Sequence, residues 1–182
     1  MKKIVLSIGL CFTLIIISCT EKDTTFLITE DTIGPLNKST DIKTLETIFN
    51  LDSIVRDSSN LNLGASTKKI KVFEKGGKPL LLLTPNLDTI QTIENVQILD
   101  DRYMSSNGIT KASTFKDIRA NFEIKKVVTT INSVVIFPKE SNLYFTIDKT
   151  ELPSNLRYTK TAIEAVQIPD EAKIKYLMLG WD

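Results

Sequence analysis

Few side chains in this sequence can do chemistry, and their spacing narrows the options further. The 182 residues contain no histidine and two cysteines, Cys11 and Cys19. Without histidine the commonest acid/base group and the commonest metal ligand are missing, and Ser-His-Asp and Cys-His catalysis are excluded. Zinc prefers nitrogen and sulfur donors and is offered little but carboxylates. The most reactive-looking run is Asp100-Asp101-Arg102-Tyr103. Two neighbouring carboxylates could share acid/base work, although in a strand they would face opposite sides. In a loop they could hold a hard cation, but they supply two ligands where calcium takes roughly six or more. The competing reading is that they end a strand and pair with Arg102 or cap a turn. Ser66-Thr67-Lys68 lacks the Ser-x-x-Lys spacing of serine–lysine hydrolases. Gly76-Gly77-Lys78 lacks the first glycine and the following Ser/Thr of a P-loop. The expectation is a non-catalytic domain with no metal or cofactor, in which Asp100, Asp101, Arg102 and Tyr103 are the candidate binding residues.

The other chemistry sits at the N-terminus. Met1-Lys2-Lys3 is followed by an apolar run, Ile4 to Ile17, broken only by Ser7, Gly9 and Thr13. At 14 residues it is shorter than the about 20 that a membrane span needs, and it has the length of a signal-peptide apolar region. It ends Ile16-Ile17-Ser18-Cys19. These four residues resemble the bacterial lipobox, with an aliphatic residue at −3, a small one at −1 and cysteine at +1. The resemblance implies cleavage between Ser18 and Cys19, diacylglycerol on the Cys19 thiol and acylation of the new amine. Each buried methylene adds about 0.8 kcal/mol, so two or three chains hold a protein durably where one does not.

Processing changes the arithmetic. Loss of residues 1–18 leaves 164 residues, and losing Lys2 and Lys3 takes the basic count from 23 to 21 against 22 acidic residues, a net charge near −1. Cys11 leaves with the signal and Cys19 is consumed by lipid, so the mature domain has neither disulfide nor free thiol. Thr20 stands at +2, where aspartate would retain an enterobacterial lipoprotein in the inner membrane. That resemblance implies an outer-membrane protein anchored by lipid, on the periplasmic face or the cell surface. Glu21 and Asp23 also resemble the surface-export signals of Bacteroidota lipoproteins. A solvated tether of mixed charge explains them equally well.

The elements that must position any site follow from periodicity. Residues 1–18 form the signal, 19–25 the lipidated cysteine and its polar tether, and 26–182 one domain of ordinary size. Ile42, Leu45, Ile48 and Phe49 form one apolar stripe, predicting a helix over 41–49 capped by Ser39 or Thr40. Residues 57–67 are Ser/Asn-rich and predict a loop. Lys68 to Glu74, the turn Lys75-Gly76-Gly77-Lys78 and Leu80 to Leu83 predict a β-hairpin, with Pro79 at the start or edge of its strand. Ile93, Val96 and Ile98 lead into Asp100. Thr114 with Asp117 predicts a capping box before a helix with Phe115, Ile118 and Phe122 on its apolar face. Four β-rich runs follow at Ile124–Thr130, Val134–Phe137, Leu143–Ile147 and Ile174–Leu179. Strands outnumber helices without β-α-β alternation. The predicted class is α+β, a mainly antiparallel sheet with one or two short helices on one face; a lipocalin-like barrel is the alternative.

Ile33-Gly34-Pro35-Leu36, Asp101-Arg102-Tyr103 with Gly108-Ile109, and Ser113-Thr114-Phe115-Lys116-Asp117-Ile118 are similar to segments of a family of small bacterial lipoproteins of unknown function. Its enterobacterial members are regulated by the envelope-stress sigma factor. The resemblance implies an α+β sheet domain and no activity. Seventeen lysines against four arginines in the mature chain argue against nucleic-acid recognition, which leans on arginine. The partner expected is an envelope or secreted protein, bound at a strand edge such as 68–74 or 174–181, with Trp181 as a possible anchor. An apolar or lipid ligand, an immunity or inhibitor role, and a hydrolase are the rivals in descending order.

Overall fold

The computed structural model describes residues 23–56 and 68–181. The predicted signal segment, Ser18, Cys19 and the predicted loop 57–67 lie outside the described residues. The strands, in chain order, are β1 (Leu27–Ile28), β2 (Thr32–Ile33), β3 (Leu36–Asn37), β4 (Ser53–Arg56), β5 (Ile70–Phe73), β6 (Pro79–Pro85), β7 (Ile93–Ile98), β8 (Met104–Ser105), β9 (Ile124–Thr129), β10 (Ser133–Pro138), β11 (Leu143–Asp148) and β12 (Ile174–Gly180). The helices are α1 (Leu45–Ile48), α2 (Phe115–Asn121) and α3 (Ser154–Arg157).

Period-two alternation explains the main sheet. It has eight strands in the order β4-β5-β6-β7-β12-β11-β10-β9, and every neighbouring pair is antiparallel. Two meanders, β4 to β7 and β9 to β12, are joined where β7 meets β12. Val72, Leu81, Ile98, Leu177, Phe145 and Ile136 pair in one row across the six central strands, and none exposes any surface. A one-residue slip of any strand would turn its apolar set outward, so this row specifies the register.

The second sheet, β3-β2-β1-β8, is made of two-residue strands, with β1 parallel to β8. Its Ile28, Ile33 and Leu36 share a single core with Leu45 of α1 and with Phe115 and Ile118 of α2. The predicted α+β class holds: an antiparallel sheet whose apolar face is covered by short helices and a small sheet. The large sheet keeps β4 and β9 as its edges, so it is open and not the lipocalin-like barrel.

Other expectations need adjustment. The helix predicted over 41–49 is a 3-10 turn, Ile42–Thr44, leading into a single turn of α1. Its cap is Asp41, which accepts the Lys43 N–H at 2.8 Å. Thr40 instead accepts the Asn37 N–H at 3.0 Å. The capping box at α2 forms as predicted, with Asp117 accepting the Thr114 N–H at 2.7 Å. Pro79 opens β6, where its missing N–H costs no ladder bond. The edges proposed for a partner do not exist: β5 lies between β4 and β6, and β12 between β7 and β11. Trp181 is buried, and its indole donates to the Glu30 carbonyl at 2.9 Å, so it anchors the core.

Gly34 is where the chain from the N-terminus meets the fold. Its φ is +53°, and a Cβ there would stand 2.5 Å from the Thr25 carbonyl oxygen. Gly34→Ala should therefore cost about 1–3 kcal/mol in strain and displaced backbone, and lower the denaturant midpoint. Gly76→Ala, at φ +113° with no atom within 4 Å of the added carbon, reports the backbone term alone. Equal losses at the two positions would show that the Thr25 contact does not matter.

Candidate functional site

After β7, Leu99 adds one more bond to the ladder by donating to the Leu80 carbonyl at 3.0 Å. The chain then turns, and the Asp100 side chain is driven fully inside. A buried carboxylate must find donors. Oδ1 accepts the Arg102 backbone N–H at 2.9 Å and its Nε–H at 3.1 Å. Oδ2 accepts from the Arg102 guanidinium at 2.9 Å and from Lys78 at 2.8 Å. Arg102 also reaches Glu74 at 2.8 Å and lies over the Phe26 ring, 4.3 Å from its centroid. Phe26 meets Tyr103 edge to face at 5.1 Å.

The bonds from Arg102, and then from Lys78, hold the Asp100 carboxyl well below the usual carboxylate range against the opposing cost of burial. Asp100 and then Glu74 raise the Arg102 guanidinium. Burial, followed by the Asp100 charge, pushes the Tyr103 phenol up. Asp100 is thus a carboxylate ionised at neutral pH with both oxygens engaged, and it is a poor base.

The structure brings Asp100, Arg102 and Tyr103 together and leaves Asp101 out. The Asp101 side chain is 65% exposed and faces Lys111 at 3.8 Å. The two acids stand in a turn and not in a strand, so the opposite-faces geometry does not arise; Asp100 lies inside against Arg102 and Asp101 outside. Sequence reasoning missed Glu74, Lys78 and Phe26. Opposite charges flanking Gly76-Gly77 were the available signal. Beside the cluster lies a cleft of about 260 Å³, lined among others by Thr25, Phe26, Leu51, Glu74 and Tyr103.

A second concentration of charge went unrecognised in the sequence. The 129–132 turn, the 148–150 segment, residues 157–160 and Lys175 enclose a pocket of about 850 Å³. Asp148 pairs with Lys175 at 2.7 Å and accepts the Thr150 N–H at 3.0 Å. These two partners, Lys175 first, hold its carboxyl at about 2. Lys149 is buried and donates to the Thr159 carbonyl at 2.9 Å. Among the described residues no three carboxylates stand close enough together to hold a metal ion.

No protein-family model matches the sequence, and no curated protein is similar to it by sequence. In structure the chain is similar to the crystal structure of the uncharacterized protein YfeY from Escherichia coli. The TM-score is 0.51 at 13% identity, over 84% of this chain and 97% of that one. The likeness establishes a shared fold.

The Asp100 cluster predicts acid sensitivity. A free aspartate titrates near about 3.9, and Asp100 is depressed when folded, as is Asp148. Their stabilisation is complete above the unfolded value and is lost as pH falls toward the folded values. The urea midpoint should therefore drop between about pH 5 and 2. Asp100→Asn should cost about 1–3 kcal/mol at neutral pH and flatten that drop. An unchanged slope would remove Asp100 from the account.

Proposed function

We propose that this chain is a lipid-anchored domain of the bacterial outer membrane, held through diacylglycerol on Cys19, whose folded part binds an envelope or secreted protein partner and catalyses nothing. The observation that carries it is the sequence Ile16-Ile17-Ser18-Cys19 after a charged start and an apolar run, placed just ahead of the domain. Thr24 already accepts the Leu27 N–H at 3.0 Å. Four residues lie between it and Cys19, so the five steps reach at most about 18 Å when extended.

That short tether favours one orientation. Thr25 and Phe26 stand beside Leu51, Glu74 and Tyr103, at the sheet end where β5 turns into β6. This end would face the bilayer. At the opposite end the β6–β7 connection presents Leu87, 74% exposed, and Ile90, 68% exposed. Asn86 keeps that loop in shape: its Oδ1 accepts the Thr92 N–H at 3.1 Å and its amide donates to Asp88 at 2.8 Å. Two aliphatic side chains on a braced loop, pointing away from the membrane, suit protein recognition better than the interior strands first considered.

Two experiments test this. Cys19→Ala should leave an unprocessed precursor that takes up no labelled fatty acid; continued incorporation would refute the anchor. A photocrosslinking residue at Leu87 should capture a protein on intact cells while the same residue at Leu51 captures none. Equal capture from both positions would discard the assigned orientation.

A further inference from the structure

The pocket between the 129–132 turn and residues 157–160 has an unbalanced charge. Four cations line it, Lys149, Arg157, Lys160 and Lys175, against the one carboxylate of Asp148, which is committed to Lys175. Lys149 is the informative residue. It is only 5% exposed, yet among the described residues no carboxylate pairs with it. Its Nζ donates to an uncharged acceptor, the Thr159 carbonyl, at 2.9 Å. Removing an ammonium group from water without a counter-charge is costly, and buried charges are ordinarily paired. Arg157 donates through Nε to the Leu152 carbonyl at 2.8 Å, which fixes the guanidinium and leaves its two Nη groups for a ligand. Such a donor set, with threonine hydroxyls between the cations, matches a group that carries several acceptor oxygens and negative charge.

We propose that this pocket binds a phosphate group, with Lys149 as the fixed cation at its floor and Arg157 and Lys160 closing from the rim. The fold suggests a source. Ile98, Leu177 and Phe145 pair in one row, so Asp100 after β7 and Asp148 at the end of β11 leave the sheet at the same end. They stand two strands apart, about 10 Å. The pocket therefore opens on the end where the N-terminal chain enters. Tyr158 and Ile131, 90% and 89% exposed, flank its mouth, and a tyrosine of this kind suits a boundary between water and lipid. A phospholipid headgroup is then the phosphate within reach. That step rests on the proposed anchor at Cys19, whereas binding of the phosphate group does not.

The test uses the full chain carrying Cys19→Ala in a nonionic detergent, so that attached lipid plays no part. Amide resonances of Thr150, Thr159 and Lys160 are followed during titration with inorganic phosphate, short-chain phosphatidylglycerol and a short-chain diacylglycerol, which carries no phosphate. Saturable shifts are expected with the first two ligands and not with the third. Arg157→Gln with Lys160→Gln should weaken binding about tenfold or more; both side chains are exposed, so this variant should fold without the risk that Lys149→Met carries at a buried position. Stronger binding of phosphatidylglycerol than of phosphate supports the headgroup source. Binding of phosphate alone keeps the site and rejects that source. No shift with either anion, or an undiminished shift in the double variant, overturns the site. Fatty-acid labelling of the wild-type chain decides the anchor separately.

Discussion

The burial of Asp100 is the constraint on which one end of this molecule depends. A carboxylate without solvent must be met by donors, and here they come from three places: its own turn through the Arg102 backbone, the Arg102 guanidinium and Lys78 across the hairpin. Lys78 can deliver its ammonium because Gly76 and Gly77 turn at φ +113° and +91°, a region L-residues avoid. Arg102, once pinned, becomes a surface for Phe26, and Phe26 meets Tyr103. One ionised group thus joins the β5–β6 hairpin, the end of β7 and the point where the N-terminal chain enters. The orientation proposed for the anchored domain depends on that entry point.

Local information in the sequence was enough for local structure. The Gly-Gly hairpin, the Thr114–Asp117 box and the four late strands all rest on neighbours within a few residues, and each formed. The sheet order rests on β7 finding β12, which are far apart in sequence, and no local pattern encodes that choice. Strands 68–74 and 174–181 therefore looked like edges and are interior. The small sheet has strands of two residues, too short to show any alternation. At the candidate site the acids and Arg102 were legible as a run, while Glu74 and Lys78 read only as turn residues. Lys149 was invisible because its burial depends on how residues 152–160 fold back over it.

The edge at β9 carries its own protection. On β9, Lys125 and Lys126 are exposed, and Lys126 lies 4.6 Å from the centre of the Phe137 ring. The far end of the same strand is occupied by Ile163, whose N–H donates to the Thr129 hydroxyl at 2.8 Å. Edge lysines and a covering segment both discourage pairing with another chain. Strand addition is thereby disfavoured at β9, which shifts recognition toward loops held in shape by side-chain bonds, such as 86–92.

Two charged clusters stand at the same end of the sheet, and the difference between them is chemical. Around Asp100 the carboxylate is buried and the cations are at the surface, so the cations satisfy the acid and lose little if it is removed. Around Lys149 the arrangement is inverted: the cation is inside and, among the described residues, no carboxylate pairs with it. Water can meet the outer partners of the first cluster, since the Arg102 and Lys78 side chains are 39% and 57% exposed. It has little access to the ammonium of the second. The closed cluster is complete as it stands and holds the fold. The open one has spare positive charge facing a cavity, and an anion is the group that would balance it. The two share a position in the fold but not a charge balance, two acids with two cations in one against four cations with one acid in the other; the sign of the buried charge is what makes one a clamp and the other a site.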